Sequence, residues 1–190
     1  MDIFGQTLAE RMERKEIEFS KIEPHERSDR HYRVVFESRD GGFTLPMIVG
    51  VTEARAILQV VRGERPARVQ THDLFAGFVR RSGYELAEAV IYQFDRGVYR
   101  TMLVFRRDGE PIRLDCRTSD ALALVLRVGG RFFVEADVVS RVVGLTGDDA
   151  GFDGMYRISR LERLLDELVA VEKYEEAATV RDQIRSLRGE

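Results

Sequence analysis

The chain has 190 residues, 44% of them hydrophobic, which is enough for one domain of ordinary size plus a short additional segment. Its 30 basic and 33 acidic residues give a net charge of -3, which excludes nucleic-acid binding by an overall basic surface and leaves only a local patch. The single cysteine excludes an intramolecular disulfide and a cysteine-rich zinc site, and the absence of a long apolar run or a signal-peptide core favours a soluble, cytoplasmic protein without a membrane segment.

The first part of the chain predicts strands after a short helical pattern at residues 1–14. The stretches IEFSKI and HYRVVFES carry the β-branched and aromatic residues typical of strands, and Asp40, Gly41 and Gly42 supply a hairpin turn. Pro46 falls inside the next strand, FTLPMIV, where it has no amide hydrogen to donate. We therefore expect that strand at a sheet edge or at a bulge.

Two amphipathic helices follow, with Thr52 and Thr71 as candidate N-caps and Gly63 and Gly83 after their last turns. In the second helix the predicted buried positions are Leu74, Phe75, Phe78 and Val79.

Three strand-like runs joined by short turns then predict an antiparallel meander. After them LDCRTSDALALVLR predicts a strand end followed by a central, nearly all-apolar helix, and RFFVEADVVSRVVG predicts a short strand and another helix. The fold class is therefore α+β: a mostly antiparallel curved sheet with about four packed helices, followed by a C-terminal α-helical hairpin.

The hairpin is predicted from two helical periods after the linker-like stretch TGDDAGFDG. One period runs through Leu161, Leu164, Leu165 and Leu168, and the other through Ala177, Val180, Ile184 and Leu187. Two short helices bury little surface alone, so the hairpin should dock on another surface.

This hairpin resembles the UVR motif, which ends the excision-repair subunit UvrB and pairs with a similar hairpin in UvrC. The likeness covers residues 157–188 and is strongest in YEEAATVRDQIRSL. The resemblance implies a protein partner that binds through residues 157–190, and candidate partner-binding residues are Tyr174, Ala177, Arg181 and Ile184.

The preceding region resembles the bifunctional nuclease domain family, to which DNase and RNase activities are attributed. Three stretches carry the likeness in order: LPMIVGVTEARAI, RVQTHDLF and LDCRTSDALALVLR. Thr118 and Cys116 depart from the pattern, which has a proline and a small residue there. The expected organisation is an N-terminal extension (1–16), a nuclease-like domain (17–145), a linker (146–156) and a UVR-like hairpin (157–190).

Candidate catalytic residues lie at the starts of two predicted helices. His72 and Asp73 begin one, and Asp115 and Asp120 flank the start of the other. Paired carboxylates suit Mg²⁺ or Mn²⁺, which would assist phosphodiester hydrolysis, so Asp115 and Asp120 are the candidate metal ligands; Glu53 is a weaker candidate. Arg117 is a candidate phosphate clamp.

Each of these residues also has a structural interpretation. Thr118 or Ser119 can cap the helix, and an acidic residue in the first turn is favoured by the helix dipole. Arg117 can simply pair with Asp115 or Asp73. Arg65 and Arg68, in the loop between the first two helices, are candidate nucleic-acid contacts, but solvated loop arginines are equally ordinary.

Two functions therefore remain open. The first is a divalent-metal-dependent nuclease acting on DNA or RNA, with the hairpin for protein interaction. The second is a non-enzymatic homo-oligomeric module that assembles through exposed sheet surface and recruits a partner with its hairpin.

Overall fold

The computed structural model describes residues 13–25, 28–95, 97–146 and 149–189. The helical pattern at residues 1–14 falls almost wholly outside these ranges. In chain order the described elements are β1 (Arg14–His25), β2 (Ser28–Ser38), β3 (Thr44–Gly50), α1 (Val51–Val61), α2 (Thr71–Ser82), β4 (Glu85–Asp95), β5 (Val98–Arg107), β6 (Glu110–Arg117), α3 (Thr118–Val128), β7 (Arg131–Glu135), α4 (Ala136–Thr146), α5 (Asp149–Ala170) and α6 (Tyr174–Arg188).

The chain divides into two compact units. One runs up to Gln93 and resumes over Tyr99–Ser140, and the other combines Phe94–Val98 with the chain from Arg141 onward. The first unit contains most of the strands with α1, α2 and α3, and the second contains the C-terminal helical pair. No helix among the described residues is both long and apolar enough to cross a membrane.

The first unit is built on a seven-stranded sheet in the order β3-β2-β1-β7-β4-β5-β6. β1 is antiparallel to β2 and β7, β2 to β3, and β5 to β6, whereas β4 and β7 run parallel. β5 lies far from β3 in this order, yet the buried Tyr99 hydroxyl of β5 donates to the Pro46 carbonyl of β3 at 3.0 Å. The sheet is therefore strongly curved. Its mostly antiparallel pairing, together with the packed helices, confirms the predicted α+β fold.

The core of this unit lies between the concave face of the sheet and α3. Ile17, Phe36, Ile91 and Phe132 are buried on the sheet, and α3 buries its first seven residues apart from Asp120. α3 packs against both α1 and α2. The prediction of a central, packing helix after LDCRTSD is confirmed, as is the edge position of the strand with Pro46.

The predicted threonine caps are wrong. α1 begins at Val51 with Gly50 before it, and α2 begins at Thr71 after Gln70. α3 begins at Thr118 with Arg117 at the N-cap position and no side-chain cap, and the buried Thr118 hydroxyl bonds instead to the Thr101 hydroxyl of β5 at 2.7 Å. A tertiary hydrogen bond has thus taken the place of the local one.

Two of the four predicted buried positions of α2 are also wrong. Leu74 and Phe78 are 68% and 59% exposed. Helical spacing gives the width of an apolar stripe, but the neighbouring elements of the fold decide how much of that stripe is covered.

The second unit contains the α5–α6 hairpin, which has its own small core. Leu168, Ala177, Val180 and Ile184 are buried, and Ile158, Leu161 and Leu165 pack against them. The turn uses Glu172 at φ 60, and the Lys173 amide donates to the Leu168 carbonyl at 2.9 Å. α5 begins at Asp149, so most of the stretch interpreted as a linker from its composition is helical.

Candidate active site

Arg117 joins two carboxylates at the point where β6 ends and α3 begins. Its Nε and Nη2 donate to the two oxygens of Asp120 at 2.7 and 3.0 Å, and its Nη1 donates to Glu53 of α1 at 2.9 Å. Asp120 lies in the first turn of α3, where the helix dipole favours a negative charge. The Arg117 side chain is still 67% exposed, so its outer side is open to a ligand.

His72 joins the same network from the start of α2. Its Nε2 lies 3.1 Å from Asp120 Oδ1. Burial raises the pKa of Asp120, but the hydrogen bonds and charges of Arg117 and His72 outweigh burial and hold it below the ordinary value of 3.8. Asp120 is therefore ionised and only accepts hydrogen bonds, so Nε2 of His72 carries a hydrogen; in the neutral form of the ring, Nδ1 is the atom that can accept a proton.

Asp73, the neighbour of His72, faces a different arginine. Arg127 of α3 donates to Asp73 at 2.7 Å and to the carbonyls of Ala56 and Ala123 at 3.1 and 2.9 Å. Its side chain is only 6% exposed. Asp73 also accepts the Gln70 amide at 3.3 Å. This pair, buried on its arginine side and partly exposed on its carboxylate side, ties α1, α2 and α3 together and thereby fixes the start of α2, where His72 lies.

Asp115 lies apart from this network. It is exposed and accepts the Tyr92 hydroxyl of β4 at 2.7 Å. Burial raises the pKa of Tyr92, and the hydrogen bond to Asp115 raises it further. Burial and the charges of Asp120 and Asp115 raise the pKa of the neighbouring Cys116 to about 12, which disfavours its nucleophilic thiolate form.

The structure therefore brings together His72, Asp120, Arg117 and Glu53, but leaves Asp115 outside their hydrogen bonds. Arg65 and Arg68 are exposed in the loop that leads directly into α2. Arg127 and Tyr92 were not identified from the sequence. Arg127 had a signal there, because a lone arginine at the end of a nearly all-apolar helix needs a buried partner.

The described side chains do not fit a resident metal ion in this arrangement. Both Asp120 oxygens and one Glu53 oxygen are bonded to Arg117. No group of three or more His, Cys, Asp or Glu residues within the described ranges is placed to hold an ion. Mg²⁺ or Mn²⁺ stays a prediction from the sequence, and the reaction proposed below uses the protein side chains alone.

The predicted partner-binding residues of the hairpin fall into two groups. Ala177 and Ile184 lie inside its own core. Tyr174 is 64% exposed, and Arg181 is also exposed. Both line a groove of about 580 Å³ between α5 and α6, together with Leu165, Asp166, Val169, Ala170, Ala177 and Ala178.

Two protein families match parts of the chain. The bifunctional nuclease domain matches residues 34–144, which include the whole network described above, and the UvrB/UvrC motif matches residues 156–190. Uncharacterized proteins from two strains of Mycobacterium tuberculosis are 32% identical over 117 residues, which cover 62% of this chain and 70% of theirs. The family match spans more than half of the chain, and the chain belongs to the bifunctional nuclease domain family.

Proposed function

We propose that the chain is a nuclease that hydrolyses phosphodiester bonds of DNA or RNA at His72, Asp120 and Arg117. The observation that carries this proposal is the single network in which one carboxylate orients both an imidazole and an exposed guanidinium. A base and a phosphate-binding cation side by side are what attack of water on a phosphodiester needs. Membership of the family supports the same reaction class.

In the proposed reaction His72 Nδ1 takes a proton from a water molecule as the water oxygen bonds to phosphorus. The bond from phosphorus to the leaving sugar oxygen breaks on the opposite side of the phosphorus, that oxygen takes a proton from a solvent water molecule, and the imidazolium afterwards returns its proton to solvent. Asp120 holds the ring and stabilises its charged form, as the carboxylate does in other His–Asp pairs. Arg117 donates to the phosphoryl oxygens, where negative charge increases.

Arg65 and Arg68 extend the site in this proposal. They lie in the loop immediately before α2, whose second residue is His72, and both are exposed. Contacts from such residues to phosphates add affinity without sequence preference and weaken with salt. They supply the local basic patch that a chain of net charge -3 requires.

Cleavage of labelled single- and double-stranded DNA and RNA oligonucleotides tests the proposal. We expect the full chain to cleave at least one of them, and Arg117→Lys to be about 100-fold slower, because lysine keeps the charge but loses the planar, bidentate geometry. Arg62→Lys, at an exposed arginine of the preceding loop, is the matched control and should keep the wild-type rate.

The same assay separates the two forms of the reaction. Run with EDTA, with MgCl₂ and with MnCl₂, it assigns the chemistry to the side chains if cleavage survives EDTA. Cleavage that appears only with an added ion supports the sequence-based prediction of Mg²⁺ or Mn²⁺ instead. Absence of cleavage from every substrate and ion condition would contradict the nuclease proposal.

The second proposed function is protein binding by the hairpin. The exposed Val169 and Tyr174 rim the α5–α6 groove, and the match to the UvrB/UvrC motif supports a helical hairpin as the partner. Exposed apolar grooves between helices accept amphipathic helices in this way.

Variants of the full chain test the hairpin. We expect Val169→Ser/Tyr174→Ala to lose a partner that wild type captures from its host extract and that is identified by mass spectrometry. Gln183→Ala, an exposed change on the opposite side of α6, should keep it. Equal capture by both variants would contradict the assignment of the groove, whether or not the chain is a nuclease.

A further inference from the structure

β6 is an edge strand of the sheet and is unusually exposed. It ends the strand order, and six of its eight residues are exposed. Ile112 and Leu114 are exposed apolar residues on one side of it. They form the rim of a 250 Å³ groove with α2 residues, and the groove is lined by Phe75, Phe78, Val79, Tyr84, Phe105, Ile112 and Leu114.

The other edge of the sheet, β3, is protected. Pro46 offers no amide hydrogen there, its carbonyl accepts the Tyr99 hydroxyl, and Leu45, Met47 and Val49 are buried. Edge strands without such protection add strands from another chain. β6 is therefore the edge that is open to pairing.

The turn between β5 and β6 determines which backbone groups of β6 point toward the open edge. Asp108 and Gly109 have φ 53 and 89, which makes a two-residue type I′ turn between the register partners Arg107 and Glu110. Arg107 and Glu110 form the first hydrogen-bonded pair, and bonding alternates along the ladder. The backbone groups of Arg113 and Asp115 consequently point away from β5, toward the open edge.

We propose that two copies of this chain pair antiparallel through β6, about a two-fold axis at Leu114. In that register Leu114 faces its own copy, and Arg113 of each chain lies opposite Asp115 of the other. The two outward-pointing residues exchange backbone hydrogen bonds, and their opposite charges meet twice.

Charge selects this register over its neighbours. Moving the axis by one residue toward the turn sets Arg113 against Arg113, and moving it the other way sets Asp115 against Asp115; like charges directly opposite are unfavourable. Arg113 is exposed and has no ion-pair partner within the residues that the structure describes. In the proposed pair the apolar side of β6, with Ile112 and Leu114, meets the same side of the second copy and covers the open side of the groove.

A charge swap in the full chain tests the pair by sedimentation velocity over a concentration series. Wild type should sediment as a dimer. Arg113→Asp and Asp115→Arg should each weaken the dimer at least about tenfold, because each sets two like-charged pairs opposite one another. The double variant Arg113→Asp/Asp115→Arg restores both pairs and should restore the dimer.

Position 114 offers a direct readout of the register. In a Cys116→Ser background, Leu114→Cys should form an intermolecular disulfide under mild oxidation. Residues facing each other in a non-hydrogen-bonded pair have Cα atoms about 4.5 Å apart, within the reach of a disulfide at about 4.4–6.8 Å. Glu110→Cys, at an exposed position of the same strand away from the axis, should not crosslink.

The proposal is overturned by a monomeric wild type, by a dimer that resists both single charge changes, or by a double variant that fails to recover. It is also overturned by a dimer that dissociates on Val169→Ser/Tyr174→Ala, because association would then belong to the hairpin. Circular dichroism of each variant separates a lost dimer from a lost fold.

Discussion

Replacement of Asp73 by Asn is expected to lower the free energy of unfolding by about 2–3 kcal/mol. The change leaves Arg127, whose side chain is 6% exposed, without a counter-charge inside the helical layer. The carbonyls of Ala56 and Ala123 still accept hydrogen bonds from it, but they do not neutralise it. The value lies below the full cost of breaking a buried ion pair because Asp73 is 31% exposed.

The same pair predicts how stability depends on pH. Burial raises the pKa of Asp73, but Arg127 and the Gln70 amide lower it more, and the folded value lies below the ordinary 3.8. A carboxyl whose pKa is depressed by folding contributes stability that is complete above its unfolded pKa and is lost as the pH falls through the folded value. Wild type should therefore lose stability below about pH 4, and Asp73→Asn should lose less over that interval.

Urea denaturation at several pH values measures both effects. Glu18→Gln is the matched control, since Glu18 pairs with Arg39 at 3.9 Å on the surface, and it should change stability by less than about 0.5 kcal/mol. An Asp73→Asn protein as stable as wild type at neutral pH would contradict the prediction, because the buried Arg127 would then not need the Asp73 charge for stability.

Replacement of His72 by Ala is expected to lower kcat/KM for the cleaved substrate by a factor of about 10²–10⁴, the usual contribution of a general base. The loss should fall on kcat, because the imidazole takes its proton only as the reaction proceeds, whereas Arg117 still holds the phosphate. The fold should be retained, since among the residues that the structure describes His72 bonds only to the partly exposed Asp120.

His31→Ala is the matched control for this change. His31 lies on β2 and bonds to Ser28 at 2.7 Å, within the first unit but outside the proposed site. We expect this variant to keep the wild-type kcat/KM. A His72→Ala protein that cleaves as fast as this control would remove the base from the mechanism.

The sequence predicted the strand and helix types well because their signals are local. Gly83 after α2, the Asp108–Gly109 turn and the apolar run of α3 each specify their own conformation from neighbouring residues. The edge position of β3 was likewise readable, because Pro46 cannot take part in a two-sided ladder.

The predictions that failed depend on distant residues. Thr118 resembles a helix cap but bonds to Thr101, seventeen positions away on β5. Leu74 and Phe78 carry the spacing of buried residues, but both are exposed, and Phe78 lines the open groove beside β6. A local sequence pattern does not predict which distant strand will pack against a residue, or where the edge of the sheet will lie.

The candidate site was predicted in part for the same reason. The sequence places His72, Asp120 and Arg117 as polar residues at helix starts, and the structure joins them in one network. Asp115 accepts a hydrogen bond from Tyr92, and Asp73 accepts one from Arg127. These pairings depend on which side of β6 and α3 each side chain occupies, and the local sequence does not specify that.

The central claim is that His72 and Asp120 act as one catalytic unit, and a double-mutant cycle on the cleavage rate tests it most directly. We compare wild type, His72→Ala, Asp120→Asn and the double variant under single-turnover conditions. Residues that act as a unit are strongly non-additive, so the double variant should be no slower than the slower single variant. Losses that multiply, or single variants that cleave at the wild-type rate, would contradict the account.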